Sequence, residues 1–319
     1  MPPASPAAGR AAQILAAVRQ LPGLSGASAP RPVPGGRSHE CWRLASPDGD
    51  LLAKVPARDQ GQDRAARHAA AHRAAHAAGV PSARLIAAGR SPVLGAPLMV
   101  LTWIEGADAE AAWPHLDAAG QEAVCRGWGE AVAGLHAISA PDFTGYPGAS
   151  WAQVAAARAA QLAARHAEAG LLPAAHVTRA RQRVEREAAA VSGLVTPALT
   201  HLDLHLPNVL TRRRHFAALL DFEHARWWDP AADLVKLDMW VFSRHPQARA
   251  PFRDGYTAAG GHLPSAAARL RVCQGLEWLS GLLYWRRAGD QAMYADYEQR
   301  LAAWLADEPI KCFHVDTFL

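Results

Sequence analysis

Several features that define other classes of protein are missing from this sequence of 319 residues. No apolar run is long enough to span a membrane, and the N-terminal MPPASPAAGR lacks the compact apolar segment of a signal peptide. The four cysteines are far apart and form no CxxC pair, which argues against a structural zinc site and a disulfide framework. We therefore expect a cytoplasmic protein with reduced thiols and no membrane partner.

A concentration of charge of one sign is also missing. The formal net charge is only +4, and the arginines are scattered among acidic residues. The one basic cluster, Arg212-Arg213-Arg214, is typical of a solvated hairpin turn, whereas nucleic-acid surfaces combine larger basic clusters with aromatic residues. We therefore expect no nucleic-acid partner, while the oligomeric state stays open.

The first third of the chain predicts a short tail and a small sheet. Residues 10–20 favour a short helix, and strand-like runs on both sides of SPDGD predict a β-hairpin. A helix without internal breakers is expected over 59–78, followed by two more strands, RLIAAG and PLMVLTWIEG. These elements make a small sheet with one long helix inserted.

After Gly106 the character of the sequence changes. Ala-rich stretches over 117–138 and 151–192 predict helices, and VLTRRRHFAALLDF predicts a small hairpin with its turn at Arg212–His215. We therefore expect an α+β fold with two lobes. The predicted units are a tail with a short helix over 1–28, a sheet lobe over 29–106 and a helical lobe over 107–319.

The stretch HLDLHLPN, residues 201–208, is compatible with two different chemistries. As a strand it would place His201, Asp203 and His205 on one face, which is the pattern of a metal site in a hydrolase. As a loop, its His-x-Asp-x-x-x-x-Asn spacing is that of a phosphotransfer catalytic loop. The sequence offers no further His/Asp cluster to complete a catalytic zinc site, so the loop is favoured.

Asp221 strengthens the phosphotransfer interpretation. It follows the apolar FAALL, and pairing across the RRRH turn would bring it beside Asn208. Amide and carboxylate oxygens are ligands that Mg²⁺ prefers. Asp203, at the head of the loop, would then orient a hydroxyl group and accept its proton. The alternative, in which Asp203 caps a turn and Asp221 is a surface acid, explains each residue but not their combination.

A phosphate-binding element is predicted in the sheet lobe. Lys54 lies in the apolar LLAKV, where burying an ammonium group is costly unless it meets an anion. The alternative is an edge lysine whose head group reaches water. One hairpin arm upstream, Gly35 and Gly36 would let the backbone approach phosphates closely, and Ser38 adds a hydroxyl donor.

These motifs resemble, in the same order, those of the aminoglycoside phosphotransferase and choline kinase family, which has a protein-kinase-like two-lobe fold. The matching segments run from about residue 33 to 236: GGRSHECWRL, LLAKV, MVLTWIEG, HLDLHLPN, LLDFEHA and WWDPAADL. The later segment EWLSGLLYWRRAGDQ resembles the bacterial thiamine kinases of that family in particular.

The resemblance implies a kinase that uses ATP and Mg²⁺, and it implies a role for each matching residue. Asp203 is the expected catalytic base, Asn208 and Asp221 are the expected metal ligands, and Lys54 is expected to hold the α- and β-phosphates. The hinge that meets adenine is expected to include Met99, Leu101 and Trp103. The residues expected to support the catalytic loop are His201, His205 and Asp233.

Three departures from the family pattern concern the geometry of the site. Leu206-Pro207 stands where the family usually has Pro-Gly before the asparagine. No glutamate lies between Lys54 and Gly79 to pair with the lysine, and we expect His68 or a neighbour near that place as a hydrogen-bonding substitute. Asp221 is followed by Phe-Glu, which is ordinary in small-molecule kinases of the family and predicts no flipping switch.

An acceptor site is expected between the catalytic loop and the C-terminal helices, where aromatic and acidic residues are frequent. Aromatic faces with carboxylates suit a small cation, although any single tryptophan is more often a packing residue. The candidate residues are Glu223, Trp227, Trp228, Glu277, Trp278 and Trp285.

The preferred function is the phosphorylation of thiamine to thiamine monophosphate. Choline or ethanolamine kinase and aminoglycoside phosphotransferase are the alternatives within the family. More remote alternatives are a metal-dependent hydrolase and, because the glutamate partner of Lys54 is missing, a kinase-like binding protein without turnover.

Overall fold

The computed structural model describes residues 6–34, 38–57 and 62–307. The predicted phosphate-binding residues Gly35 and Gly36 lie outside the described residues, as does the C-terminal IKCFHVDTFL. The strands are β1 Ser28–Val33, β2 His39–Ala45, β3 Leu51–Pro56, β4 Leu85–Ser91, β5 Ala96–Thr102, β6 Ala107–Asp108, β7 Ala198–Thr200, β8 Val209–Arg212, β9 His215–Leu219 and β10 Arg226–Trp228. The helices are α1 Pro6–Arg19, α2 Gln62–Ala77, α3 Ala109–Ala112, α4 Ala118–His136, α5 Trp151–Ala169, α6 Ala174–Val191, α7 Ala231–Leu237, α8 Arg249–Ala258, α9 Ala267–Ala288 and α10 Gln291–Leu305.

The N-terminal lobe is an antiparallel sheet in the order β1-β2-β3-β5-β4. Side chains alternate along β3, so that Leu51 and Ala53 join Ile14 of α1 in one buried cluster, while Leu52 and Lys54 face the other side. On that other side α2 packs over the sheet, with Ala69 against β5. The sheet is therefore covered on both faces, and Lys54 points into the region between sheet, α2 and C-terminal lobe.

The strand β1 was not expected, because its sequence SAPRPV contains two prolines. Proline has no N–H to donate to a neighbouring strand, so it is tolerated mainly at sheet edges. In the structure β1 is an edge strand that pairs only with β2 among the described strands, with a register shift between Ser28 and Arg31. A strand with two prolines can form here because β1 lies at the edge of the sheet, and the proline content is the reason that the sequence did not predict it.

The C-terminal lobe is mainly helical and contains the largest buried cluster of the chain. Helices α4 and α8 approach closely at Gly129 and Gly255, where an added Cβ would collide with the backbone of the opposite helix. The expected helical region 151–192 forms two helices, because Gly170 ends α5 with a left-handed backbone at φ 60°. No helix among the described residues is long and apolar enough to cross a membrane.

Two small strand pairs carry the candidate site on this helical lobe. Strands β8 and β9 form the expected hairpin, whose two-residue turn has φ 49° at Arg213 and φ 68° at Arg214. Strand β7 pairs antiparallel with β10. The mixed architecture, a sheet lobe followed by a helical lobe with inserted strand pairs, confirms the expected α+β two-lobe fold.

Candidate active site

The loop that follows β7 is held by one buried carboxylate. Asp233, in the first turn of α7, accepts hydrogen bonds from the backbone N–H groups of His201 at 2.8 Å and Leu202 at 2.6 Å. The ring of His136 donates to the same carboxylate at 3.0 Å. Leu202 has a positive φ of 62°, so the chain turns here and does not continue as a strand.

Asp203 and Asn208 lie at opposite ends of this loop and contact each other. The side-chain nitrogen of Asn208 donates to the carboxylate and to the backbone carbonyl of Asp203, both at 2.9 Å. Nε2 of His205 lies 3.3 Å from the same carboxylate. Burial alone would raise the pKa of Asp203, but the hydrogen bond and charge of His205, with the charge of Lys236, hold this pKa below its ordinary value.

The two histidines of the loop have different positions. His201 is fully buried, and its Nε2 donates to the carbonyl of Leu220 at 2.8 Å. Burial lowers the pKa of His201, so the ring is neutral. His205 is half-buried beside Asp203. Because His201 and His205 do not share a strand face with Asp203, the predicted zinc-binding face is not formed.

Pro207 is accommodated without loss of a backbone hydrogen bond. Leu206–Asn208 form a single 3₁₀ turn with the proline near its start, where the first N–H groups have no partner within the turn. Asn208 closes the turn by donating from its backbone N–H to the carbonyl of His205 at 2.9 Å. The departure from the family loop therefore leaves Asn208 directed at Asp203.

Asp221 lies one residue beyond the contact between the two ends of the hairpin. The backbone N–H of Leu220 donates to the carbonyl of Asn208 at 2.9 Å, and Asp221 then takes a left-handed conformation with φ 58°. Its carboxylate lies 2.8 Å from Nζ of Lys54. Burial tends to raise the pKa of Asp221, but the Lys54 charge outweighs burial and lowers it. The lysine of the N-terminal lobe thus pairs with an acid of the other lobe.

His68 of α2 stands beside this ion pair, where the family glutamate was missing. Its Nε2 lies 3.7 Å from the Asp221 carboxylate, and its ring neighbours those of His39 and His72 at centroid distances of 5.4 and 5.1 Å. Burial, with the nearby Lys54 charge, lowers the pKa of His68 to about 2 and that of His72 to about 3. The place of an acidic partner is therefore taken by neutral rings.

Glu223 links the start of β2 to the segment after Asp221. Its carboxylate lies 3.2 Å from Nε2 of His224 and 3.5 Å from Nδ1 of His39, and it accepts a hydrogen bond from Ser38. Possible ligand atoms of His39, Asp221 and Glu223 all lie within 4.8 Å of one another. Within 6–34, 38–57 and 62–307 no other group of three His, Cys, Asp or Glu residues is placed to hold a metal ion.

The predicted hinge begins later in the chain than expected. Met99 and Leu101 lie inside β5, because Met99 pairs with Lys54 and Ala88, so the connection to the second lobe starts at Trp103. The Trp103 ring packs under a guanidinium group, with the Cζ of Arg43 4.6 Å from its centroid. A pocket of about 310 Å³ lies between the sheet and α2 and is lined in part by Lys54 and Met99.

The residues predicted for the acceptor site are not grouped as expected. Trp228 and Trp278 are buried in the core of the C-terminal lobe, the former against Trp151 and the latter against Tyr297. Trp228 and Trp278 are therefore packing residues in the structure, which was the alternative considered for each tryptophan. Trp227 and Trp285 are half-buried at its edge.

Glu277 is already paired by a residue that the sequence did not single out. Lys236, on α7, lies 2.6 Å from the Glu277 carboxylate, which also accepts a hydrogen bond from Tyr297 at 2.9 Å. The positive charge of Lys236 also acts on Asp203. Lys236 is one helical turn after Asp233, and that spacing is the one signal in the sequence that connects it to the catalytic loop.

The two-lobe architecture, with a lysine strand facing a loop of Asp203, Asn208 and Asp221, is that of the protein-kinase-like fold. The family model described as the phosphotransferase enzyme family matches residues 30–272. The chain therefore belongs to this family, which confirms the family resemblance and the expectation of a phosphotransferase enzyme. No curated protein matches the chain significantly.

Solved structures share the fold at low sequence identity. Aminoglycoside phosphotransferase APH(4)-Ia is 18% identical, with a TM-score of 0.64 over 90% of this chain and 96% of that one. A candidate fructosamine-3-kinase from Thermobifida fusca is also 18% identical, with a TM-score of 0.65 over 93% and 98%. APH(2″)-IIa, solved with streptomycin and ATP, is 14% identical, with a TM-score of 0.62 over 92% and 94%. The resemblance to thiamine kinases stays a prediction.

Proposed function

We propose that the protein transfers the γ-phosphoryl group of ATP to a hydroxyl group of a small molecule. The observation that carries the proposal is the convergence of Asp203, Asn208 and Asp221 at one end of the β8–β9 hairpin, with Lys54 of the opposite lobe 2.8 Å from Asp221. Solved structures that share the fold contain ADP, AMP-PNP or ATP, which supports a nucleotide as phosphoryl donor.

In this proposal Asp203 binds the acceptor hydroxyl and takes its proton as the acceptor oxygen bonds to the γ-phosphorus. The bond from that phosphorus to the bridging oxygen breaks, and ADP leaves with the bond electrons. A pKa of Asp203 below its ordinary value keeps the carboxylate ionised at neutral pH, ready to accept a hydrogen bond from the hydroxyl. Lys54 would leave Asp221 to hold the nucleotide phosphates.

The residues present fit a magnesium ion. Asn208 uses its side-chain nitrogen on Asp203, which leaves its Oδ1 as the atom for a cation, and the Asp221 carboxylate supplies further oxygens. A bound Mg²⁺ would neutralise charge on the phosphate oxygens. Asn208 and Asp221 are thus the residues that we propose as ligands, with His201 and Asp233 holding the loop that carries them.

The acceptor is proposed here only as a small-molecule alcohol. Thiamine, the preferred acceptor from the sequence, and choline, ethanolamine and aminoglycosides are all cationic. Both acids expected to bind such a cation have basic partners: Glu277 pairs with Lys236, and Glu223 lies 3.6 Å from Arg64. These pairs weigh against a cationic acceptor.

The proposed function is tested by combining nucleotide binding with acceptor-dependent ADP formation. Purified protein should bind ATP in a Mg²⁺-dependent manner, and a panel of cationic, neutral and anionic alcohols should contain at least one that is recovered with an added phosphoryl group by mass spectrometry. ATP binding without ADP formation from any alcohol would instead favour the non-catalytic binding protein, and failure to bind ATP would exclude both.

A further inference from the structure

We propose that the acceptor is an anionic alcohol, whose carboxylate or phosphate group is bound by Arg226 and Arg158 beside the loop that carries Asp203. This inference rests on the proposed function, because it names the class of compound that the same site phosphorylates. It differs from the sequence expectation of a cationic acceptor, and neither arginine was singled out from the sequence.

Arg226 lies next to the catalytic loop through the pairing of β10 with β7. It is opposite Thr200 in the register, and the Thr200 hydroxyl donates to its backbone carbonyl at 2.8 Å. Thr200 is three residues before Asp203. The Arg226 guanidinium carbon lies 5.6 Å from the ring centroid of Trp228, so the side chain runs along the same face of β10 as that tryptophan.

The same face of β10 meets α5, which carries Arg158. The ring of Trp228 packs edge-on against Trp151, the first residue of α5, at a centroid distance of 5.2 Å. Arg158 follows Trp151 by seven residues, or two helical turns, and therefore lies on the same side of the helix. Helix α5 also contacts α9, since the His166 ring donates to the carbonyl of Leu279 at 2.8 Å.

The electrostatics of the two arginines agree with this placement. Burial and the nearby positive charges of Arg158 and Arg67 lower the pKa of Arg226 to about 10. Burial likewise lowers the pKa of Arg158, and the negative charge of Glu277 opposes this shift. The charge of Arg158 acts on Arg226 and the charge of Glu277 acts on Arg158, so the cluster continues from Arg226 towards the pair that Glu277 makes with Lys236.

Neither arginine has an acidic partner in the part of the chain that the structure describes. The one side-chain hydrogen bond of Arg158 there is to Gln161 at 3.5 Å, and Arg226 has its ring contact with Trp228. A half-buried cation without a counter-ion is unfavourable, and a guanidinium group binds carboxylate or phosphate with two parallel hydrogen bonds. A ligand with such a group would therefore relieve the repulsion between the two side chains.

The acids nearby are not free to reverse this charge. Glu277 is held by Lys236 and Tyr297, so its carboxylate is already paired within the described residues. Asp203 would face the hydroxyl group, while the arginines hold the acid group of the same molecule. A cation in this position would meet Arg158 and Arg226, neither of which has a salt bridge to an acid among the described residues.

The experiment measures binding while the nucleotide site is filled. Calorimetry is done at saturating Mg²⁺ and a non-hydrolysable ATP analogue, with matched probes: hydroxy acids and their amides, sugar phosphates and the free sugars, and choline and thiamine as cations. At least one anionic probe should bind about tenfold or more tightly than its neutral match. Arg226→Gln and Arg158→Gln should each weaken it by about tenfold, and Arg226→Lys by less, because a lysine keeps the charge but not the paired geometry.

The matched control is Arg214→Gln, which removes an exposed arginine on the β8–β9 turn that pairs with Asp117. It should leave binding of every probe unchanged, and all variants should bind the ATP analogue like the wild type. The proposal is overturned if no anionic probe binds more tightly than its neutral match, if choline or thiamine binds best, or if Arg226→Gln changes nothing. Failure of the wild type to bind the ATP analogue would defeat the proposed function itself, which is a different result.

Discussion

The two sides of the catalytic loop carry charge in different ways. On the nucleotide side, Lys54 is balanced by Asp221 at 2.8 Å, and the surrounding histidines are neutral because they are buried. On the acceptor side, the Lys236–Glu277 pair is closed in the same way at 2.6 Å, but Arg158 and Arg226 lie beyond it without acidic partners among the described residues. In the proposed function, the nucleotide would replace Asp221 as the partner of Lys54, whereas the acceptor would neutralise the positive charge of Arg158 and Arg226.

This difference teaches where binding free energy should come from on each side. In the proposed function, a nucleotide would first separate Lys54 from Asp221. Breaking this ion pair would cost part of the binding free energy that the contacts of Lys54 with the phosphates supply. An anionic acceptor would meet two arginines, Arg158 and Arg226, that have no ion pair to break within the described part of the chain. We therefore expect substitutions on the nucleotide side to change the binding and kinetics of ATP, and substitutions on the acceptor side to change those of the acceptor.

The largest expected effect tests the residue that the two sides share. Asp203→Asn should lower kcat by at least about a thousandfold, because the amide cannot accept the hydroxyl proton, and should leave ATP binding within about threefold. Steady-state kinetics and calorimetry measure the two quantities. Asp254→Asn, at an exposed acid on α8 that pairs with Arg253, serves as the control and should behave as the wild type. Substantial turnover by Asp203→Asn would remove the residue from the role of base.

The second prediction compares the two lysines directly. Lys54→Met should lower kcat/KM for ATP by about a hundredfold, since it removes a phosphate contact. Lys236→Met should instead change kcat/KM for the acceptor and leave the ATP value within about threefold. Initial rates with each substrate varied in turn separate the two. Equal losses for both substrates in both variants would contradict the separation into two sides.

The third prediction concerns the neutral histidines on the nucleotide side. Burial holds the pKa of His72 at about 3, against about 6.5 in an unfolded chain. Below pH 6.5 the unfolded chain therefore binds a proton that the folded chain does not, and stability falls as the pH falls. His72→Leu should remove about 2 kcal/mol of the stability difference between pH 7.5 and pH 5. Urea unfolding at both pH values measures it, and an unchanged difference would show that the ring is protonated when folded.

The smallest expected effect lies outside both sides. Arg214→Gln breaks an exposed ion pair with Asp117 at the hairpin turn. Exposed ion pairs contribute little to stability, so the free energy of unfolding should change by no more than about 0.5 kcal/mol. The KM values for both substrates should stay the same. Thermal unfolding measures the change in stability, and steady-state kinetics measures the KM values. A large kinetic effect here would mean that positive charge acts over the whole lobe and not through the cluster at Arg158 and Arg226.

The order of motifs was sufficient to predict the family and the two lobes. The sequence has the glycines, Lys54, the loop from Asp203 to Asn208 and Asp221 in the family order, and the family match confirms the family prediction. The hairpin turn at Arg213 and Arg214 was predicted as well, because a short polar turn between two apolar runs is a local signal.

Features that depend on contacts between distant residues were not predictable. The partner of Lys54 is 167 positions away in the sequence, and no local pattern indicates it. The start of the hinge was placed too early, because the strand pairing of Met99 with Lys54 and Ala88 decides where β5 ends. Trp228 and Trp278 were placed in an acceptor site, although their apolar rings could equally fill the core, and in the structure they do.

By itself the sequence determined which chemistry this protein carries, because residue types at short fixed spacings, such as Asp203 and Asn208, place donors and acceptors within one loop. The tertiary structure alone decided which charged side chains lie around these residues and which of them are paired. Asp221 pairs with Lys54 across the lobes, Lys236 pairs with Glu277, and Arg226 lies beside α5 with no acidic partner among the residues that the structure describes. Electrostatic interactions depend on distance and burial and not on sequence separation, so these pairings could be read only once the chain was folded.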